Sequence, residues 1–307
     1  MAASPRTRQV VIALAVLLPA LCLSLLGLAR ERTRAERLSD RHARELARLV
    51  AMQQESSIEQ AQDLLVVLSR MSTVKGRSAA ACSALFADAV RASARYANVG
   101  LLAADGTVLA SGQAEKGPMS LGDRPYFQRA VRTRCFSIGD YQVGRLTGRP
   151  TINVALPLLD GVGNVENVLF AAIDLSGLDE AFARMGLPSG SAVLLLDPSG
   201  TVAAWLPERE ETEGHAFPES ALVRAMRDGA EGAIETEGLD GEVRRFGFAP
   251  VAVEGGEGIP RIAVGVQLGV ADAGGSGALL LSLGGLAATA VVVLVLTPRP
   301  PARGSAA

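Results

Sequence analysis

The chain has 307 residues, enough for two modest domains, and its 30 Lys+Arg against 32 Asp+Glu give a formal net charge of −2. That balance offers none of the basic surface a nucleic-acid binder needs, so no nucleic-acid partner is expected. Two histidines far apart, His42 and His215, with no Cys-x-x-Cys and no His-Glu-x-x-His, supply no metal-ligand set, and no metal or cofactor is expected.

Two apolar runs bracket the chain. Val10–Ala29 reads VVIALAVLLPALCLSLLGLA, about 20 residues, the length at which a helix crosses a bilayer core. It exceeds the roughly 7–15-residue apolar core of a cleaved signal, so it reads as an uncleaved anchor. Gly277–Leu296, GALLLSLGGLAATAVVVLVL, is as long. Arg6 and Arg8 precede the first run, and Arg299 and Arg303 follow the second. Both ends then face the cytoplasm by the positive-inside rule, although Arg30, Arg32, Arg34 and Arg37 argue the other way. The expected arrangement is a multi-pass membrane protein. Residues 1–9 are cytoplasmic, 10–29 and 277–296 span, 297–307 form a short cytoplasmic tail, and the rest is extracytoplasmic.

Between the runs the pattern changes twice. Glu31–Met71 contains no glycine or proline, and Leu38, Leu46, Leu49, Ile58, Ala61, Leu65, Leu68 and Met71 recur at helical spacing. A long stalk helix is expected, with a second helix over Ser78–Tyr96, so residues 30–95 form the stalk and packing helices. VGLLAADGTVLAS, Val99–Ser111, then reads as two strands around Asp105–Gly106. Strands follow at Thr151–Leu158 and Asn167–Asp174. SAVLLLDPSGTVAAW, Ser191–Trp205, restates the first hairpin, followed by a helix over Pro218–Asp228 and strands at Gly232–Thr236, Val243–Pro250 and Arg261–Val270. The outer region is therefore expected to be α+β: two copies of one antiparallel-sheet module, residues 96–175 and 176–276, joined by a helical connector over Ser176–Arg184.

Arginines and rings concentrate in GDRPYFQRAVRTRCFSIGDYQVGRLTGRPTINVALPL, Gly122–Leu158, of a chain that is only 4% aromatic. Asp123 suits a helix cap, with Arg124 and Pro125 in the first turn. Tyr126 and Phe127 are adjacent, so one packs inward while the other lines a mouth. Tyr141 is expected after the next strand, and Arg145 and Arg149 flank a turn. Guanidinium forks match a carboxylate bidentately, and tyrosine adds a rigid wall with one hydroxyl. Asp174, at a strand end, is a candidate to receive an ammonium group. The same residues also admit a plainer account. Arg124 pairs with Asp123 or Asp140, the rings are core, and Arg145 and Arg149 are solvated.

The motifs DRPYF (Asp123–Phe127), GDYQVGRLTGRPTINVALP (Gly139–Pro157) and FAAIDL (Phe170–Leu175), in this order between a stalk helix and a second apolar run, resemble the double Cache sensor domain of bacterial receptors. The resemblance implies two PAS-like modules, with a ligand bound in the distal one and no enzyme activity in the domain. It implies transmission to a histidine kinase, diguanylate cyclase or chemotaxis output. Some members bind amino acids through an Arg-x-Trp-Tyr run and a strand-end aspartate; here the run is Arg124-Pro125-Tyr126-Phe127, and Met119 stands where a further tyrosine is expected. After Leu296 only TPRPPARGSAA remains, so the signal is expected to pass to a separate output protein, through a homodimer. The ligand-binding set is Arg124, Tyr126, Phe127, Tyr141, Arg145, Arg149 and Asp174, for a small organic anion or amino-acid-like ligand. The alternatives are an anchored ligand-binding or scaffold remnant, or an anchored hydrolase, for which no nucleophile–base pair can be placed. A Cys82–Cys135 disulfide is left open.

Overall fold

The structure is a computed structural model that describes residues 5–76, 78–114, 117–207 and 212–267. The chain divides into two compact units, residues 1–39 with 268–307, and residues 40–267. The elements in order are α1 (Pro5–Arg70), α2 (Ser72–Lys75), α3 (Ala79–Ala92), β1 (Tyr96–Ala103), β2 (Val108–Ser111), α4 (Pro125–Thr133), β3 (Ser137–Val143), β4 (Pro150–Leu159) and β5 (Val165–Asp174). They continue as α5 (Leu178–Ala183), β6 (Ala192–Leu196), β7 (Val202–Leu206), α6 (Ala221–Asp228), β8 (Gly232–Glu237), β9 (Val243–Pro250) and β10 (Arg261–Gln267). Val10–Ala29 falls within α1, where the side chains of residues 5–21 lie outside the described set. Among the described residues no helix is long and apolar enough to cross a membrane. The second apolar run, 277–296, lies outside the described residues.

The internal repeat is visible in the topology. One sheet has the order β2-β1-β5-β4-β3 and the other β7-β6-β10-β9-β8, so each strand has its counterpart five strands on. Both sheets are antiparallel throughout. Alternation along the strands divides each sheet into two buried faces. On one face Val99, Leu101, Val154 and Leu169 of the distal sheet and Val193, Leu195, Ile262 and Val264 of the proximal sheet join a single core with Ala47, Val50, Ile58, Leu65 and Leu68 of α1. Each Val, Leu or Ile side chain among them contributes about 1.5–3 kcal/mol when fully buried. On the opposite faces Phe127 of α4 clusters with Leu102 and Phe170 of the distal sheet, and Met226 of α6 with Trp205 and Phe246 of the proximal sheet.

Two glycines set the fit of helix on sheet. A Cβ at Gly247 would collide with the backbone of Ala43 and Arg44, so α1 lies directly on β9 there. A Cβ at Gly139 would stand 2.7 Å from the Tyr126 Cβ, so β3 admits α4 closely enough to bury that tyrosine. Cys82 is buried and Cys135 exposed, and both are free thiols.

Candidate functional site

The site begins at the start of α4. Arg124 takes the N-cap position (φ −78°, ψ 135°) and Pro125 opens the helix, where its missing N–H costs nothing. The sequence placed Asp123 at this cap. Instead its carboxylate is held by Arg145, with Nη1–Oδ1 2.7 Å and Nη2–Oδ2 2.6 Å, and Arg145 Nη1 also donates to the Ser120 carbonyl at 3.0 Å. A bidentate charged partner outcompetes a cap of two peptide N–H groups. The fork holds the Asp123 carboxyl below its ordinary range.

Beneath α4 and the turn after β3 lies a cavity of about 20 Å³, the space open to the centre of a water molecule. Its floor is a row across three strands: Asn98 of β1, Ala172 of β5 and Asn153 of β4, set side by side by the strand register. Arg124 and Tyr126 approach from α4, Gln142 from β3, and Arg145, Leu146 and Thr147 from the turn. The Tyr126 ring stands 5.9 Å from that of Phe170, tilted by 35°. Burial pushes the Tyr126 phenol well above its ordinary value, with the Asn153 amide and the Arg124 charge opposing, so the hydroxyl stays neutral.

Four buried polar atoms on these residues meet no partner at hydrogen-bond geometry: Arg124 Nε, Tyr126 Oη, Gln142 Oε1 and Asn153 Oδ1. They are four of the eight such atoms among the described residues, and they converge on one cavity. A buried polar atom left unpaired costs about 1–3 kcal/mol, so these four concentrate unmet hydrogen-bonding capacity at one place. Asn98, by contrast, is satisfied by Ser111: Nδ2–Oγ is 3.1 Å and Oγ–Oδ1 3.2 Å.

Of the seven residues singled out from sequence, Arg124, Tyr126 and Arg145 line this cavity. Phe127 is buried in the core beneath α4, beside Leu102 and Ala130. Tyr141 lies within β3, not after it, and pairs with Ile152, whose side chain faces the α1 core; parity turns the Tyr141 ring to that side, away from the cavity. Its backbone N–H donates to Asp197 Oδ2 of the proximal module at 2.9 Å. Arg149 Nη1 pairs with Asp174 Oδ2 at 2.8 Å, and neither lines the cavity. Asp174 lies on the same strand face as Ala172, one step too far along. Burial raises its carboxyl, but the Ser176 hydroxyl and N–H and the Arg149 guanidinium outweigh this and hold it low.

Four polar residues of the cavity escaped the sequence reading: Asn98, Gln142, Thr147 and Asn153. Two had left a signal. Asn98 and Asn153 each interrupt an apolar strand that is buried on both faces, and such positions rarely hold an unpaired amide without a reason.

The Cache domain family profile, dCache_1, matches residues 32–268. Sporulation kinase D of Bacillus subtilis (strain 168) is 36% identical over 84 residues, which are 27% of this chain and 17% of that protein; the chain thus spans less than a fifth of this curated relative. The extracellular domain of rpHK1S-Z16, assigned as a histidine kinase, superposes with a TM-score of 0.64 at 16% identity, covering 80% of this chain and 98% of that one. The ligand-binding domain of the Pseudomonas fluorescens chemoreceptor CtaA, in complex with L-isoleucine, gives 0.60 at 16% identity, covering 77% and 95%. With its repeated five-stranded sheets on one long helix, and a family match over residues 32–268, the chain belongs to the Cache domain family, in its double form.

Proposed function

We propose that the chain is an extracytoplasmic sensor held in a bacterial inner membrane, and that its distal module binds a small carboxylate or amino-acid-like anion. The observation that carries this reading is the convergence of four unpaired buried polar atoms beside Arg124. Arg124 Nε and the Tyr126 hydroxyl are donors placed to meet a carboxylate. That the CtaA domain is found with L-isoleucine supports a ligand of this class. The cavity as it stands holds about one water. A ligand is admitted when the turn Gly144–Arg149 lifts. That turn is held by the Arg145–Asp123 pair and by a Gly144 N–Arg149 O bond of 2.9 Å.

Transmission is part of the proposal. β3 carries Gln142 at the cavity and is bonded along its outer edge to the proximal module. Ile138 N donates to the Glu257 carbonyl at 2.7 Å, Glu257 N to the Phe136 carbonyl at 2.9 Å, and Tyr141 N to Asp197. A ligand that draws Gln142 inward pulls on these bonds, and biases the packing of the modules by its difference in affinity for the two states. The moved helices of a homodimer then carry the signal across the membrane.

A thermal-shift screen of small carboxylates on the full chain tests the reading. At a hundredfold excess over Kd a ligand adds about 2.7 kcal/mol to the folded state. Arg124→Ala is expected to abolish the shift while the unliganded melting curve stays cooperative. A ligand whose shift is unchanged by Arg124→Ala would move the site elsewhere.

A further inference from the structure

We propose that the cavity selects small 2-hydroxycarboxylates over the α-amino acids of the same shape; this rests on the reading of the cavity as the ligand site. The charge of the lining is the first reason. Arg124 brings a positive charge, the charge of Arg145 is met by Asp123, and no aspartate or glutamate is among the lining residues. Asp123 belongs to Arg145 and faces solvent, its side chain 58% exposed. Asp174 is the acid two residues beyond Ala172 on the same strand face, and it is occupied by Arg149 and Ser176 outside the cavity. An α-amino acid would satisfy Arg124 with its carboxylate but would bury an ammonium with no counter-charge. An uncompensated buried charge costs several kcal/mol, whereas a neutral hydroxyl costs only its own desolvation and recovers this with one hydrogen bond.

The unpaired atoms supply the second reason. Arg124 Nε and Tyr126 Oη donate to a carboxylate, and one of Gln142 Oε1 and Asn153 Oδ1 accepts the single proton of a hydroxyl on the adjacent carbon, while the other carboxamide turns over to donate to the hydroxyl oxygen. Both orientations serve a hydroxyl; only one serves an ammonium.

The test compares ligands that differ only in this group: L-lactate against L-alanine, and glycolate against glycine, titrated calorimetrically into the full chain. The hydroxy acid of each pair is expected to bind at least tenfold tighter. Asn153→Asp keeps the shape of the floor and adds a carboxylate. It should reverse the order, with alanine gaining and lactate losing at least tenfold. Ala172→Asp, in the same row, is the second variant if the first does not fold, and the native pairs decide the matter if neither does. Alanine binding as tightly as lactate to the native chain, with loss on Arg124→Ala, overturns the selectivity and leaves the carboxylate site standing. If no carboxylate binds and Arg124→Ala alters no response in a wider panel, the site itself is overturned, and the selectivity with it.

Discussion

Arg145 and Asp123 meet in a two-pronged ion pair, at 2.6 and 2.7 Å, between a residue that lines the cavity and one that does not. Both side chains are substantially exposed, at 41% and 58%, so the pair is worth only about 0–1 kcal/mol of stability. Under the proposed reading its role is to close the turn over the cavity. Asp123→Asn should therefore leave the melting temperature nearly unchanged while raising the ligand association rate. Stopped-flow binding beside a thermal melt checks both halves. An unaltered rate would remove the turn as the gate.

Tyr126→Phe removes a buried hydroxyl that makes no well-formed hydrogen bond in the unliganded structure and feels only the neighbouring Asn153 amide. The unliganded domain should be as stable as before, or up to about 1 kcal/mol more so, because an unmet desolvation cost disappears. Ligand binding should weaken about tenfold, the worth of one hydrogen bond to a charged group. Urea denaturation and calorimetry on the same variant separate the two effects. A loss of stability with unchanged affinity would make Tyr126 a packing residue only.

The Asp174 carboxyl titrates below its ordinary range, since Ser176 and Arg149 outweigh its burial. A folded value below the unfolded one means that the stabilisation is complete above the unfolded value of about 3.9 and is lost as pH falls through the folded value. Melting temperature should fall on acidification below about pH 4, and Asp174→Asn should flatten that limb while lowering stability at neutral pH. Melts between pH 3 and 7 on both chains give the comparison, and parallel curves would count against it.

Asp197 is 2% exposed and accepts from Ser199 N at 2.8 Å, Ser199 Oγ at 2.7 Å, Thr201 N at 2.9 Å and Tyr141 N at 2.9 Å. It shapes its own hairpin and fastens β3 of the other module. Asp197→Ala leaves the N–H groups of Tyr141, Ser199 and Thr201 without this acceptor, Ser199 Oγ keeping Thr201 Oγ1 at 2.9 Å, and should cost about 3 kcal/mol. The loss should appear as a lower urea midpoint at constant m. A cost under about 0.5 kcal/mol would mean that solvent replaces the carboxylate and that the fastening is weak.

The outer face of α1 carries Leu49, Met52 and Val67, at 57%, 60% and 59% exposure. Their steps of 3 and 15 residues are close to one and four turns, so they share a stripe. Ile58 is 6% exposed and Leu46 packs on the domain's own core, so neither is free to meet a partner. With the exposed native thiols Cys22 and Cys135 changed to serine, Leu49→Cys and Met52→Cys should cross-link pairs of chains, and Ile58→Cys should not. Equal yields at all three positions would deny a defined helix-to-helix dimer.

The sequence determined the repeat, the order of helices and strands, and the long helix. Each of these is written in local periodicity and turn chemistry that a short window contains. Val243–Pro250 was legible to the residue because alternation and its bounding turns coincide there. The arginine and tyrosine of DRPYF stand out in sequence as a charged and aromatic cluster in a chain poor in rings, and both line the cavity. Only the tertiary structure decided which face each side chain takes. Tyr141 was expected at the pocket, but β3 runs through it and parity sends its ring to the other side. Asp174 was expected to receive the ligand, but register places Ala172, one inward step earlier, in the row with Asn98 and Asn153. Those two asparagines are 55 residues apart in sequence and become neighbours on the cavity floor only because β5 pairs with both β1 and β4. Strand pairing is non-local, and a shift of one residue exchanges core for cavity along a whole strand, so the floor of the site is fixed by the sheet and not by any one segment of the chain.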